Sequence, residues 1–404
     1  MKRTVLVYGA GAVFPFQMHR LFFEARALKE LGYDVTVAYW EVTEPLEDSS
    51  RDNTQVNLTP IPTYRKGDRR RSHSRIIDWL KFVKQAFDHI KKGGYDIVHI
   101  HHWDSLPVGL LCKVFLNKTL IYDAYELSIG YPLPFGLRQG VHVSEFLASR
   151  KADAIVFPSE NRAKLFNRYY RSGAPYHIIP NAFPEDKESS GDDSQAHELL
   201  RLAKESRLKL VVSGVMSPER GILTILEALA LAKNRERIAL LLVGGGDAGF
   251  VEEINRRSDT LGLNQQVLYT GYVNHSTMMR YLELCDIGAV LISPTCLNNA
   301  FPAPTKLFKY MEAGIAVLAS DCPDLRDMVV ESGAGLVVNP DNRLEIAGAL
   351  DFLVEHPNEL ENMKRSSRLK AEVCFSRERQ VEAIGNLYSS VLAPKMWVAN
   401  RQRA

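Results

Sequence analysis

One pattern constrains this chain more than any other. An apolar run leads into a glycine-bearing turn, then an amphipathic helical stretch, then another apolar run, and the whole series begins again halfway along. "TVLVYGAGAV" (4–13), "QMHRLFFEARALKELGY" (17–33) and "DVTVAYW" (34–40) open the first series. "YDIVHIHHW", "KTLIYDAYE" and "ADAIVFPS" supply its later strands. "LKLVVSGVMSPERG" (208–221) and "ILTILEALALAKN" (222–234) restart it, and "IALLLVGGG", "QVLYTGYV", "DIGAVLISPT" and "IAVLASD" continue it. Strand, turn and helix in that order build parallel sheets, because the helix carries the chain back to the same edge. Two such series predict an α/β protein with two Rossmann-like, doubly wound domains. A length of 404 residues fits two cores better than one.

The polar stretch "PEDKESSGDDSQAHELLRLAKESR" (184–207) reads as the linker. The division expected is residues 1–183, the linker 184–207, residues 208–375, and a C-terminal helix and tail over 376–404 that crosses back to the first domain. A ligand is expected where the two domains face one another, at the carboxyl ends of both sheets.

The bulk numbers exclude several classes. A net charge of +2 gives no general signal for nucleic acid. The five cysteines are scattered and lack a C-x-x-C pair, which favours a reducing compartment and speaks against a zinc cluster. The apolar run after Met1-Lys2-Arg3 is short and leads into a glycine turn, so it reads as a strand rather than a leader. No run is long enough to be a membrane span.

Several stretches can carry chemistry. Gly9-x-Gly11 joins strand to helix, which suits either phosphate contact or a plain tight turn. The dinucleotide fingerprint is incomplete, because Phe14 takes the third glycine position. In "SGVMSPERG", Gly214 permits a bend and Arg220 stands where a helix starts. "LVGGGDAG" puts Gly245 among three adjacent glycines, which suit close approach to a ligand or a loose surface loop. His102 and Asp104 follow one strand, and Tyr125 and Glu126 follow the next. "PAPTKLFKYMEAG" (302–314) is a helix with marked ends, yet Lys306 and Lys309 lie in its first turns, where the helix dipole disfavours cations unless an anion is bound. Residues 65–93 carry ten basic residues and a helical apolar period through Ile76, Trp79, Leu80, Val83, Phe87 and Ile90. That is either a domain helix with a basic face or, over 65–92, a surface for anionic lipid. No paired-carboxylate D-x-D metal motif occurs.

In order and spacing these segments resemble a GT-B glycosyltransferase of the retaining family four. "YDIVHIHHWDSLPVGLL", "LIYDAYEL", "ADAIVFPSENRAKLF", "HIIPNAF", "GVMSPERGILTILEAL" and "PTKLFKYMEAGIAVLASD" carry the likeness. The resemblance implies transfer of a sugar from a nucleotide-diphosphate sugar to a saccharide or lipid-linked acceptor, with retention, no metal and no separate cofactor. It implies work in polysaccharide or glycolipid assembly; the scattered cysteines point to the cytoplasm, and the lipid reading of residues 65–92 to a peripheral place on the inner face of the cell membrane. Arg220, Lys306 and Tyr125 take the catalytic positions. Gly9, Gly11, Gly214, Gly245, Tyr272, Val273, Thr305, Lys309 and Glu312 take the donor side, and His102, Asp104 and Glu126 the acceptor side. The chain departs from the family at Tyr125, often His there, at Val215, often Arg, and at Phe301 and Lys309, which replace a pair of Glu residues. The alternative that these departures raise is a non-catalytic protein that binds a nucleotide sugar or partners another transferase.

Overall fold

The computed structural model describes residues 2–9, 19–41, 56–63, 75–130, 133–184 and 208–393. Gly11, most of the 184–207 linker, Arg65 to Arg71 and the tail after residue 393 lie outside the described residues. The chain forms two compact units, one from Met1–Pro180 with Arg377–Ala404 and the other from Asn181–Ser376.

The first unit is built on β1 (Arg3–Tyr8), β2 (Asp34–Glu41), β3 (Asn57–Pro62), β4 (Ile97–His101), β5 (Thr119–Asp123), β6 (Ala154–Phe157) and β7 (Tyr176–Ile178). They lie in the order β3-β2-β1-β4-β5-β6-β7, and every pairing is parallel. The connecting helices are α1 (His19–Glu30), α2 (Arg75–Gly93), α3 (Leu106–Leu116), α4 (Phe135–Lys151) and α5 (Glu160–Tyr170). A parallel sheet covered on both faces needs strands that are apolar throughout, as Val5-Leu6-Val7 and Ala154-Ile155-Val156-Phe157 are. β3 carries Pro60 and Pro62, which lack an N–H and are tolerated because the strand is at an edge. β3 and the short β7 give little periodic signal and were legible only in three dimensions.

The second unit uses β8 (Leu208–Ser213), β9 (Ile238–Val243), β10 (Val267–Gly271), β11 (Ile287–Val290), β12 (Ala316–Ser320) and β13 (Gly335–Val338), in the order β10-β9-β8-β11-β12-β13. Its helices are α6 (Ile222–Leu231), α7 (Ala248–Leu261), α8 (His275–Glu283), α9 (Thr305–Ala313), α10 (Pro323–Val329), α11 (Arg343–Glu355) and α12 (Pro357–Cys374). Strand alternation splits its core in two. Leu208, Leu210 and Val212 pack with Ile222, Leu226, Leu229 and Leu350. Val211, Leu241 and Val317 pack on the other face with Tyr281, Leu307, Phe308 and Met311. Both apolar clusters sit under strand ends that point the same way, so the loops after β8, β9 and β10 meet at one edge. The chain then returns to the first unit as α13 (Arg377–Leu392), whose Tyr388 is fully buried there.

Candidate functional site

At the carboxyl edge of the second sheet, three loops are locked together through their backbones. Gly214 N–H donates to Val243 (2.9 Å), Met216 N–H to Gly245 (2.8 Å) and Gly244 N–H to Gly271 (2.9 Å). Gly244 has φ of 138°, and a Cβ on it would lie 2.0 Å from the Gly214 carbonyl oxygen. A Cβ on Gly246 would lie 2.6 Å from the Met216 carbonyl oxygen. Two of the three adjacent glycines therefore answer to loop packing, not to looseness. Gly245 is different, since its nearest neighbour would be Tyr272 Cβ at 3.9 Å. Tyr272 is 62% exposed beside that opening, and Val215 is exposed too.

Helix α9 is pinned to the same edge from below. The Tyr310 hydroxyl accepts from Ser213 N–H (2.8 Å) and bonds Ser213 Oγ (3.1 Å). The absent side chain of Gly288 makes room for the Tyr310 ring. Burial raises that hydroxyl to about 12, so it stays protonated. Pro304 gives the helix start no side-chain cap. Leu307 N–H turns back to the Pro304 carbonyl (3.2 Å), and among the described residues the N–H groups of Thr305 and Lys306 are left for water or a ligand.

Lys306 is the decisive side chain. It is 8% exposed, and among the described residues its ammonium has no hydrogen-bond partner. Burial, reinforced by the Arg220 guanidinium, lowers it to about 7. Arg220 closes the 3-10 turn Pro218–Arg220 and is half-buried. Two cations whose charges repel each other are brought together at the uncapped end of a helix, which costs stability unless an anion arrives. Lys309, one turn on, donates to His275 Nδ1 (2.9 Å), which must therefore be an unprotonated nitrogen. Thr305 and Glu312 are exposed.

The first sheet gathers a different cluster at its own carboxyl edge. His102 has φ of 73°, in the left-handed region that non-glycine residues seldom enter. Its Nδ1 faces Asp104 Oδ1 (2.9 Å) and its Nε2 faces Glu126 Oε2 (3.1 Å). Burial works against the imidazolium, but Asp104 and Glu126 outweigh it and raise His102 to about 10. Burial raises Glu126, but the His102 bond and charge prevail and hold it below the usual range. A Cβ on Gly9 would lie 2.9 Å from Asp104 Oδ1 and 3.0 Å from Ser105, so this glycine makes space for the turn that carries Asp104. Tyr125 hydrogen-bonds Tyr8, and burial raises its hydroxyl well above the ordinary value.

Not every polar strand end joins a surface. His101 and Asp123 also stand at polar strand ends, yet both are fully buried. Arg20 Nε lies 2.6 Å from Asp123 and 3.0 Å from Glu24, while His101 faces Glu24 (3.3 Å) and Asp123 (3.4 Å). His99 Nδ1 bonds the Tyr388 hydroxyl of α13 (3.1 Å). The donor atoms of Glu24, His99, His101 and Asp123 lie within 4.8 Å of one another. The Arg20 guanidinium already occupies the cationic place among them, and the network ties α1, β4, β5 and α13 together. Arg20 and Glu24 went unread in the sequence because nothing in α1 alone marks them as buried.

Comparison with known proteins gives one match on each unit. The family model Glycosyltransferase Family 4 matches residues 22–187, and Glycosyl transferases group 1 matches residues 200–370. The chain belongs to glycosyltransferase family four. A D-inositol 3-phosphate glycosyltransferase of Jonesia denitrificans is 24% identical over 370 residues, 86% of this chain and 85% of that one. The sucrose-phosphate synthase of Thermosynechococcus elongatus superposes with a TM-score of 0.80 at 19% identity, over 97% of this chain and 100% of that one. The Anabaena protein HepE in complex with UDP gives 0.75 at 16% identity, over 96% and 100%. At these identities the solved structures establish the GT-B fold of this glycosyltransferase.

Proposed function

We propose that this glycosyltransferase moves a sugar from a nucleotide-diphosphate sugar to a saccharide or lipid-linked acceptor with retained anomeric configuration, and that built-in cations rather than a metal ion carry the leaving-group charge. The observation that carries the reading is the Lys306 ammonium, buried without a partner beside the charge of Arg220. A departing nucleoside diphosphate gains negative charge as the glycosidic bond breaks, and fixed cations and N–H groups aimed at it lower the barrier. Arg220, Lys306 and the open first turn of α9 supply such groups, and Arg220 suits two-point contact with phosphate oxygens. Gly214 shapes the loop that carries Arg220. Gly245, Tyr272 and Val273 form the platform for the base. Glu312 takes the ribose hydroxyls and Lys309, with His275, contacts a further oxygen of the donor, in place of the family's Glu pair. Thr305 lies at the helix entry.

On the other unit, His102, Asp104 and Glu126 hold the acceptor, with Glu126 kept ionised as a hydrogen-bond acceptor and Tyr125 kept neutral as a donor. Gly9 supports this turn through Asp104. HepE's complex with UDP makes uridine donors the first to test. Among the described residues no helix is long and apolar enough to cross a membrane. The proposed membrane contact, on the inner face of the cell membrane, runs through the basic region 65–92. Its described helix α2 exposes Ile76, Ile77 and Leu80 ahead of Lys81, Lys84, Lys91 and Lys92, so these three apolar residues face solvent rather than the core.

The test is donor hydrolysis or transfer over a panel of nucleotide sugars. Arg220→Ala should cost about two orders of magnitude in turnover, and unchanged turnover would sink the assignment. Tight nucleotide-sugar binding without turnover across the whole acceptor panel would favour the non-catalytic reading.

A further inference from the structure

Among the described residues of the first unit, helix α4 carries a second set of exposed apolar side chains besides those of α2. Pro134 through Gly140 are exposed without interruption, so the first turns of the helix project beyond the body. Phe135 at the tip is 71% exposed, and Leu137, Val143, Phe146 and Leu147 are exposed as well. At about 100° per residue, Phe135, Phe146, Val143 and Leu147 fall within an arc of about 120°. Val141, Glu145 and Ala148 lie opposite and are buried. The helix therefore has two apolar sides, one in the core and one in solvent.

Its charges narrow down what covers the outer side. The exposed charges of α4 are Arg138, Arg150 and Lys151, all basic. Arg150 stands over the Phe146 ring at 3.6 Å and Arg138 near the Phe135 ring at 5.7 Å. The one acidic residue of the helix, Glu145, is buried and takes bonds from the hydroxyls of Tyr122 (2.9 Å), Tyr170 (2.7 Å) and Ser128. Apolar rings at a projecting tip, with cations held against them and no anion on that face, match the boundary between acyl chains and anionic headgroups.

We propose that α4 is an anchor that inserts its first turns into an anionic bilayer, and that the acceptor is presented from that surface. The anchor is rigidly joined to the acceptor cluster. Glu145 bonds Tyr122 on β5 and Ser128 in the loop after it, and that loop also carries Tyr125 and Glu126. The helix proposed to seat in the headgroup layer is thus braced through Glu145 to the loop that carries Glu126, which suits an acceptor carried on a lipid. This rests on the membrane reading given above, but assigns the apolar insertion to α4 instead of to residues 65–92.

Vesicle flotation of the full chain tests it, with phosphatidylcholine alone and with phosphatidylglycerol added, at low and high salt. Three proteins are compared, the natural chain, Phe135→Ser with Phe146→Ser, and Ile76→Ser with Ile77→Ser. All four positions are exposed, so the thermal midpoints should match and report intact folds. The α4 pair should lose on the order of tenfold or more in partition to anionic vesicles, and the α2 pair less. If the natural chain binds and the α4 pair binds equally well, the anchor is refuted while the membrane reading stands. If the natural chain floats with no vesicle at low salt, both fall. If the α4 substitutions instead dissolve a dimer seen by sedimentation, a second copy covers this face and the proposal is overturned.

Discussion

Replacing Lys306 by Met should make the empty protein more stable while weakening its grip on a nucleoside diphosphate. The reason is the position of the ammonium, 92% hidden from solvent by its 8% exposure and without an acceptor. Burial first and Arg220 second bring it from 10.5 to about 7. At about 1.4 kcal/mol per decade that gap is roughly 5 kcal/mol, an upper bound on the cost of charging the side chain in the fold. The unfolded chain keeps this proton up to 10.5, and the folded chain only to about 7. Between these values the unfolded state binds more protons, so folding is favoured as pH rises through the window and the full cost applies below about 7. Lys306→Met should therefore raise the melting temperature at pH 6, by several degrees, with the advantage fading toward pH 10 (roughly 2–4 °C per kcal/mol for a unit of this size). A bound diphosphate reverses the preference by supplying the missing partner. Above pH 7 binding must then take up a proton at Lys306, and affinity should fall by up to about tenfold per pH unit. Titration calorimetry of a nucleoside diphosphate at pH 8, in two buffers of different ionisation heat, reads that uptake directly. Lys306→Met should abolish both the uptake and its pH dependence. A variant that melts no higher than the natural chain at pH 6, together with binding that moves no proton at pH 8, would show that Lys306 is not an unpaired cation held for the diphosphate.

Other residues give independent tests. His102 is raised from 6.5 to about 10, so its pairing stabilises the fold fully below pH 6.5 and the contribution is lost as pH rises through about 10. Melting curves of the natural chain and His102→Gln should differ by roughly 3 kcal/mol at pH 6 and converge above pH 10. Gly244→Ala forces a Cβ to 2.0 Å from the Gly214 carbonyl and should destabilise the second unit by 3 kcal/mol or more, about the top of the range for backbone strain. Gly245→Ala, with 3.9 Å of room, should fold normally and lose nucleotide affinity alone, as limited proteolysis beside binding would show. Tyr310→Phe leaves the Ser213 N–H without its acceptor and should cost about 1–3 kcal/mol by thermal melting.

The architecture was legible in the amino-acid sequence alone. Parallel strands buried on both faces must be apolar along their length, so β1, β4 to β6, β8, β9, β11 and β12 could be read directly, as could α9 between Pro304 and Gly314. Their order carried the family as well. The edge strands β3, β7 and β13 were not legible, because prolines or short runs leave little periodicity there, whereas the edge strand β10, without proline, was read. Tertiary structure alone decided which polar residues face inward. His101 and His102 are neighbours in the chain, yet the first is sealed in the core with Arg20, Glu24 and Asp123 while the second turns out through a left-handed backbone to Asp104 and Glu126. Lys306 shows the same division. Its place on the helix was plain from the sequence, but its missing partner was not, because burial and the nearness of Arg220 arise only when residues 86 positions apart are folded together.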